Sequence, residues 1–236
     1  MIHTLRLAFT ALLIALGPQA ARADPAADFP SRPIRFIAPI PAGGSTDVLT
    51  RDIARRLQER WGQPTVVENK PGSTGSIGAA LVARAPADGY TLLLVNSGHV
   101  INGHVYAKLP YDPIKDFVPV VHAASIAMGL FVHPSVPAKN LTEFLALARA
   151  KPGTLSFATS GNGGAGHLGG ESIKAATGID MVHVPYRGSA PALADVVAGQ
   201  LQVSIADVPL ARAHVRAGSL RPIALAAAQR STALPD

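Results

Sequence analysis

The sequence of 236 residues contains no cysteine, and only 5% of its residues are aromatic. The absence of cysteine excludes disulfide bonds, thiolate metal ligands, a cysteine nucleophile and a lipid anchor on cysteine. The chain also lacks the run of about 18 consecutive apolar residues that a transmembrane helix requires. Apolar residues nevertheless make up 48% of the chain, which is enough for a substantial core in one or two domains.

Charge is dispersed along the chain rather than clustered. The formal net charge is +6, but the basic residues form no run longer than Arg55-Arg56. Proteins that bind nucleic acids concentrate basic residues on one face or in one stripe. We therefore expect no nucleic-acid partner.

The N-terminus has the pattern of a secretory signal peptide. Arg6 precedes an apolar run from Leu7 to Leu16, and Ala21-Arg22-Ala23 has the small-x-small pattern of a cleavage site. We predict that residues 1–23 are a signal peptide and are removed during export. Removal lowers the net charge to +4 and places the mature protein in the periplasm of a Gram-negative cell.

The remainder of the chain alternates short apolar strands with amphipathic helices in two series. The first series includes a nearly continuous apolar run over residues 90–95, predicted to be a strand buried on both faces. In the second series, Asn140 is a predicted helix N-cap with Glu143 at position N3, and Pro222 should place the last strand at an edge or crossover. Such alternation predicts an α/β fold with parallel sheets flanked by helices. A proline-rich segment joins the series, which suggests two lobes with a ligand cleft between them.

A glycine-rich loop between the first strand and the first helix is suited to bind an anion. Gly43 and Gly44 let the backbone approach a ligand closely, and Ser45 and Thr46 offer hydroxyl groups. The helix that follows presents free N–H groups and the positive end of its dipole. We predict that Asp47 is the N-cap of this helix, a structural role that we favour over contact with the ligand.

A second loop repeats this design in the other series. Gly188, Ser189 and Ala190 follow a strand and begin a helix, and Tyr186 precedes them with its own hydroxyl group. Ser189 is the predicted N-cap. One carboxylate could bind at each of the two loops. For either loop taken alone, an ordinary strand-to-helix turn with a capped helix is the alternative.

An enzymatic interpretation depends mainly on one motif. Residues 161–166 satisfy G-x-G-x-x-G between a predicted strand and helix, but the next strand ends in Val184 and Pro185 where a dinucleotide site needs an acid. Asp180 stands at the start of that strand. No P-loop or G-x-S-x-G motif occurs. We predict no catalytic residue and no cofactor, with a periplasmic nucleotide-using α/β enzyme as an alternative.

The histidines do not form a recognisable metal motif. No H-E-x-x-H spacing occurs, and no cysteine is available to complete a zinc site. We therefore predict no metal. His167, which follows the second glycine-rich segment, should orient that loop or contact the ligand.

Four separate motifs together resemble a known family. The motifs are Pro41-Ala42-Gly43-Gly44-Ser45-Thr46-Asp47, Glu68-Asn69-Lys70-Pro71-Gly72, Asp88-Gly89-Tyr90-Thr91-Leu92 and His183-Val184-Pro185-Tyr186-Arg187-Gly188. With them, the chain from about Phe29 to Asp236 is similar to the Bug-type extracytoplasmic solute receptors of tripartite tricarboxylate transporters.

The resemblance implies a two-lobed periplasmic binding protein of type II that is not an enzyme. It would capture a small organic carboxylate and deliver it to the integral-membrane permease subunits of the transporter, and we expect a monomer. A ligand-sensing subunit of a membrane signalling protein would use the same fold and stays an alternative.

The resemblance also implies positions in the cleft and one departure. Ser97, His99 and Ser160 would line the cleft together with the two loops. Family members usually carry an Asp-Asn pair where this chain has Ala206-Asp207. A carboxylate at Asp207 would disfavour an anionic ligand or favour one with an amino group, unless it is paired or points away.

By the same resemblance, residues 29–126 form lobe 1 and residues 127–229 form lobe 2. Residues 230–236 would begin a return to lobe 1. Members of the family normally continue beyond this point and complete the sheet of lobe 1, so the chain is expected to lack that part.

Overall fold

The computed structural model describes residues 28–232 and Leu234. The predicted signal peptide, residues 1–23, lies outside the described residues. Residues from Arg32 onward form one unit, which contains every strand and helix of the described residues.

The first sheet is parallel and has the strand order β2-β1-β3. Its strands are β1 (Ile34–Ala38), β2 (Thr65–Asn69) and β3 (Thr91–Leu93). The prediction of a strand buried on both faces at residues 90–95 is wrong. All three residues of β3 are half-buried, because β3 is an edge strand among the described residues.

Each strand of this sheet is followed by a helix. Strand β1 leads to α1 (Ser45–Trp61), β2 leads through a short 3-10 turn (Ser73–Gly75) to α2 (Ser76–Ala83), and β3 leads to α3 (Gly98–Val105). Ile34 and Phe36 of β1 pack with Ala54 of α1 in a small core. Every helix therefore begins at the carboxyl end of a parallel strand, and these ends share one edge of the sheet.

The second sheet has five strands in the order β6-β5-β7-β4-β8. Strand β5 pairs in parallel with β6 and β7, whereas β4 pairs antiparallel with β7 and β8. The predicted parallel direction is therefore confirmed for β5, β6 and β7 and wrong for β4. A strand, a helix and a second strand of the same sheet normally leave the two strands parallel. No such unit leads into β4, because the chain reaches it from the segment after α3 in the other sheet. The strands are β4 (Met128–Val132), β5 (Ser156–Thr159), β6 (Val182–Pro185), β7 (Val203–Asp207) and β8 (Arg221–Leu225).

Two local predictions for the second series are confirmed. Strand β8, which contains Pro222, lies at the edge of the sheet. The Asn140 side chain accepts a hydrogen bond from the Glu143 N–H at 2.9 Å, and the Glu143 carboxylate accepts from the Lys139 N–H at 2.7 Å, which is a reciprocal cap. The helices of this series are α4 (Leu141–Ala150), α5 (Ala165–Thr177), α6 (Ser189–Val197) and α7 (Val208–Arg216).

The second sheet contains the larger core, with helices on both of its faces. Phe144 and Phe157 are fully buried in the cluster on one face, and Phe131, Leu193 and Val196 are buried on the other. Helix α5 approaches Phe157 so closely that a methyl group on Gly170 would lie 2.3 Å from a ring carbon. Within the described part of the chain, no helix combines the length and apolar character needed to cross a membrane.

Candidate functional site

Loops from the two sheets meet at the carboxyl ends of their parallel strands. A methyl group on Gly188, after β6, would lie 3.0 Å from Cγ of Pro41, after β1. The Thr74 hydroxyl, after β2, donates to the Asn162 carbonyl oxygen, after β5, at 2.8 Å. Sequence-distant loops from the two sheets therefore contact each other where the sequence predicts the ligand cleft.

The first loop ends in a helix whose N-cap is Gly44, so the prediction that Asp47 is the N-cap is wrong. Gly44 has extended backbone angles (φ −80°, ψ 165°), and Asp47 is the third residue of α1. From there the Asp47 carboxylate reaches back and accepts the Gly43 N–H at 3.0 Å. Gly43 needs to be glycine because its φ is +87°.

The Asp47 carboxylate is an internal support of the loop. It also accepts hydrogen bonds from Asn69 Nδ2 at 2.7 Å and from Arg51 Nε at 3.1 Å, and Asn69 donates to the Ile40 carbonyl oxygen at 3.1 Å. Burial alone would raise the pKa of Asp47, but the bonds from Asn69, Gly43 and Arg51 outweigh burial and lower it. Asp47 is therefore an anion at neutral pH whose charge is already compensated.

Other donors of this loop have no acceptor within it. The backbone N–H groups of the first turn of α1, which includes Ser45 and Thr46, have no acceptors within the helix. Ser45 Oγ is buried and has no hydrogen-bond partner among the described residues. The loop can therefore offer N–H and hydroxyl donors to an anion.

In the second loop the N-cap of α6 is Gly188, with φ +118°, so the prediction of Ser189 as N-cap is wrong by one residue. The Gly188 N–H donates to the Ser160 carbonyl oxygen at 3.2 Å, which ties the two loops of this sheet together. The Tyr186 hydroxyl donates to Asp195 at 2.5 Å, and this bond raises the pKa of Tyr186. As at any helix start, the N–H groups of Ser189 and Ala190 in the first turn of α6 have no acceptors within the helix.

The glycine loop after β5 is held by His167. Its Nδ1 atom accepts the Gly163 N–H at 3.0 Å, so the prediction that His167 orients this loop is confirmed. Ser160, at the start of the loop, is exposed. Gly163 has φ +73°, and a methyl group on Gly166 would lie 3.0 Å from the Ile205 carbonyl oxygen. Backbone conformation and close packing therefore explain two glycines of the G-x-G-x-x-G pattern without a nucleotide.

His183 supports the same loop through contacts with Thr159 and His167. Its Nε2 atom lies 2.7 Å from Thr159 Oγ1, and its ring stacks on His167 with ring centroids 4.1 Å apart. Burial, together with the neighbouring His167 and Lys174 charges, lowers the pKa of His183 to about 4, against an opposing contribution from Glu171. His183 is therefore neutral in the folded protein at neutral pH.

This pKa predicts a loss of stability in mild acid. Between pH 6.5 and 4 the unfolded chain binds a proton at His183 while the folded chain does not, so the free energy of unfolding falls as the pH decreases. After an allowance for solvent screening we expect a loss of about 1–2 kcal/mol. Urea unfolding across this pH range measures it. His183→Gln should flatten the dependence and the exposed His122→Gln should retain it; equal slopes in all three proteins would contradict the prediction.

Ser97 and His99 lie at the start of α3. Ser97 is exposed, whereas His99 is 9% exposed and packs its ring against Tyr111 and Phe117. His99 Nε2 lies 2.9 Å from the Pro113 carbonyl oxygen, and burial lowers the pKa of His99. A small cavity beside His99 is lined by loops of the first sheet, including Thr74. Contact of Ser97 and His99 with a ligand stays a prediction.

Three polar residues that the sequence did not single out are part of the site. Asn69 holds Asp47, as described above. Thr74 adopts a left-handed conformation (φ 52°, ψ 37°) that is unusual for a β-branched residue. Its carbonyl oxygen accepts from Nδ2 of the fully buried Asn102 at 2.9 Å. Of these three residues, Asn69 belongs to one of the four motifs that indicate the family, and Thr74 belongs to a predicted turn. No sequence pattern indicated Asn102.

Two sheets with helix N-termini that face one cleft define a two-lobed solute-binding protein of type II. Comparison with known proteins identifies the family. Residues 49–236 match the tripartite tricarboxylate transporter family receptor, and the chain belongs to this family. It is 37% identical to protein BugT of Bordetella pertussis over 96% of this chain and 72% of BugT. The predicted family is therefore confirmed.

Solved structures agree with this assignment. Rpa4515 of R. palustris, determined with adipate, matches with a TM-score of 0.83 and 39% identity, over 86% of this chain and 68% of that one. MatC of Rhodopseudomonas palustris, with bound malate, matches with a TM-score of 0.81 and 30% identity, over 88% and 71%. Receptors of the family are periplasmic substrate-binding proteins, and this chain is such a receptor.

Proposed function

We propose that the chain captures a small organic carboxylate in the cleft and delivers it to the integral-membrane permease subunits of a tripartite tricarboxylate transporter. The observation that carries this proposal is the meeting of loops from two sheets at the N-termini of α1 and α6. Relatives that bind adipate and malate support the carboxylate class.

The ligand would be held mainly by backbone groups. One carboxylate binds the free N–H groups at Ser45 and Thr46, with the Ser45 hydroxyl as a further donor. A second polar group of the ligand binds at Ser189 and Ala190 in lobe 2. Because Asp47 is compensated by Asn69 and Arg51, it does not repel the bound carboxylate.

Closure of the two lobes would couple binding to delivery. The Thr74 bond to Asn162 and the packing of Pro41 on Gly188 join different sheets. We propose that both contacts form only when the cleft is closed. A ligand that touches both lobes stabilises the state that has these contacts. The permease then recognises the closed form.

The proposal includes the cellular setting and the division of the chain. The signal peptide at residues 1–23 directs export, and the mature receptor acts as a monomer without catalytic activity. Lobe 1 begins with residues 29–126 and lobe 2 comprises residues 127–229. Residues 230–236 start the return to lobe 1.

Calorimetry and thermal unfolding of the purified chain test the proposal with malate, adipate, succinate, citrate, aspartate, glutamate and benzoate. At least one of them should bind with measurable heat and raise the melting temperature. Absence of heat and of a thermal shift with the whole panel would overturn it.

A matched pair of variants tests whether the α1 loop binds the ligand carboxylate. Gly43→Ala and Gly218→Ala both place an alanine at positive φ with no atom within 4 Å of the new methyl group. Each should cost about 1 kcal/mol of stability. Only Gly43→Ala, in the α1 loop, should weaken ligand binding, by about tenfold or more. Equal affinities in the two variants would exclude the α1 loop as the carboxylate site.

A further inference from the structure

The turn between β2 and α2 has an unusual backbone. Four consecutive residues have positive φ angles, which are +129° at Gly72, +45° at Ser73, +52° at Thr74 and +90° at Gly75. Ser73 and Thr74 carry a Cβ atom, which makes this left-handed conformation unfavourable. Residues in such conformations persist only where their surroundings fix them, and they cluster at ligand clamps and switches. The turn therefore points to a functional constraint on Thr74.

Helix α3 and the residue after it hold Thr74 in place. Nδ2 of the buried Asn102 donates to the Thr74 carbonyl oxygen at 2.9 Å, and the Tyr106 hydroxyl lies 3.2 Å from Thr74 Oγ1. The Thr74 hydroxyl has one proton, which it donates to the Asn162 carbonyl oxygen, so Tyr106 is the donor to Thr74. Hydrogen bonds joined in such a chain strengthen one another.

A second contact between the two sheets lies beside this chain. A methyl group on Gly163 would lie 3.0 Å from Cγ1 of Val105, the residue before Tyr106. Gly163 is buried, and Val105 packs on it although its side chain is otherwise exposed. We call these contacts the latch, and its residues are Thr74, Val105, Tyr106, Asn162 and Gly163.

Each half of the latch packs against a loop of the proposed ligand site. A methyl group on Gly75 would lie 3.1 Å from the carbonyl oxygen of Pro39, which precedes the α1 loop. In the second sheet, the Ser160 carbonyl oxygen accepts the Gly188 N–H at 3.2 Å and ties the loop of Asn162 to the α6 loop. Formation of the latch therefore also brings the α1 and α6 loops into position.

We propose that Thr74 is a positioning residue for closure, whose hydroxyl raises the closed fraction of the protein and thereby its affinity for every ligand by the same factor. This inference rests on the proposed function of the cleft. Affinity scales with the fraction of protein in the binding-competent state. Loss of the Thr74 hydrogen bond should lower the closed-to-open ratio by about three- to tenfold.

Energy transfer between two dyes measures this ratio without any ligand. Because the chain contains no cysteine, Arg60→Cys on α1 and Ala150→Cys on α4, both exposed, give specific labelling sites. Thr74→Val removes the hydroxyl, keeps the branched shape and should lower the ratio, whereas Thr74→Ser should retain it. Tyr106→Phe, which leaves the turn intact, should lower it as well. Ser73→Ala is the control, because Ser73 is exposed and has the same left-handed conformation.

Calorimetry with malate and adipate completes the test. Thr74→Val should weaken the binding of both by a common factor, and Ser73→Ala should weaken neither. Equal energy transfer in the unmodified chain, Thr74→Val and Tyr106→Phe would overturn the latch while carboxylate capture stands. A lower closed fraction in these variants without binding of any ligand of the panel would support the latch and refute the proposed function. A change in the ratio of the malate and adipate affinities would contradict a role in closure alone.

Discussion

Gly170→Ala is expected to destabilise the protein by about 3 kcal/mol, near the upper end of the usual cost of an overpacked core. The new methyl group would lie 2.3 Å from one carbon of the Phe157 ring and 2.7 Å from another. Phe157 is fully buried between α5 and the second sheet, so its ring has no free space to enter. Helix α5 must shift instead, and His167 and the glycine loop shift with it.

The adjacent position provides the control. Gly169→Ala lies on the same helix, but its methyl group would find no atom closer than 3.9 Å. Removal of a helix-interior glycine should then stabilise the protein by about 0.5–1 kcal/mol. Urea unfolding measures both variants. Adding Phe157→Leu to Gly170→Ala should cost less than the sum of the two single changes, because the smaller side chain yields space. If Gly170→Ala matched Gly169→Ala in stability, the proposed steric clash would be wrong.

Asp47→Ala is expected to lower the free energy of unfolding by about 2 kcal/mol and to weaken ligand binding. The substitution removes the charged acceptor of the Gly43 N–H and of one N–H of the Asn69 amide, and a hydrogen bond to a charged group contributes about 1.5–3 kcal/mol. Arg51 is half exposed and can turn to water, so its loss adds little. The loop that presents Ser45 and Thr46 then loses its fixed conformation.

Asp52 is the matched control for Asp47. It lies on the same helix and forms ion pairs with Arg55 and Arg56. All three side chains are well exposed, so Asp52→Ala should change stability by only about 0.5 kcal/mol and leave ligand affinity unaltered. Because the folded pKa of Asp47 is lowered, its contribution is present above pH 3.8 and is lost as the pH falls through the folded value. Denaturant unfolding and calorimetry of both variants test this, and equal effects would contradict the assigned role of Asp47.

The candidate site could be predicted from the sequence only in part. Glycine-rich loops before Ser45 and Ser189 were visible because strand, glycine and helix follow one another directly. The side chains that hold these loops were not visible. Asp47 meets Asn69 from 22 residues away, and Thr74 meets Asn162 from 88 residues away. Such pairs depend on which strands are neighbours in the sheet. The local pattern of apolar residues does not predict this strand order.

The same limit explains the errors at the helix starts. A Ser or Asp near the beginning of a helix is compatible with more than one cap position, and glycine is an acceptable N-cap as well. At both α1 and α6 the glycine takes this position. Gly188 combines a φ of +118° with the close approach of Pro41, whereas Gly44 has ordinary extended angles. Asp47 consequently moves into the first turn, where its carboxylate reaches back to the Gly43 N–H.

The sequence by itself determined the α/β class, the two series of strands and helices, the glycine loops and the family, because backbone preferences and apolar periodicity act over a few residues. Only the tertiary structure decided the antiparallel direction of β4, the compensation of Asp47 and the contact of Thr74 with Asn162. Those features arise when two sheets bring distant loops together, and the free energy of burial and hydrogen bonding then depends on the partners that each side chain meets. The absent cysteines leave this assembly to packing and hydrogen bonds alone.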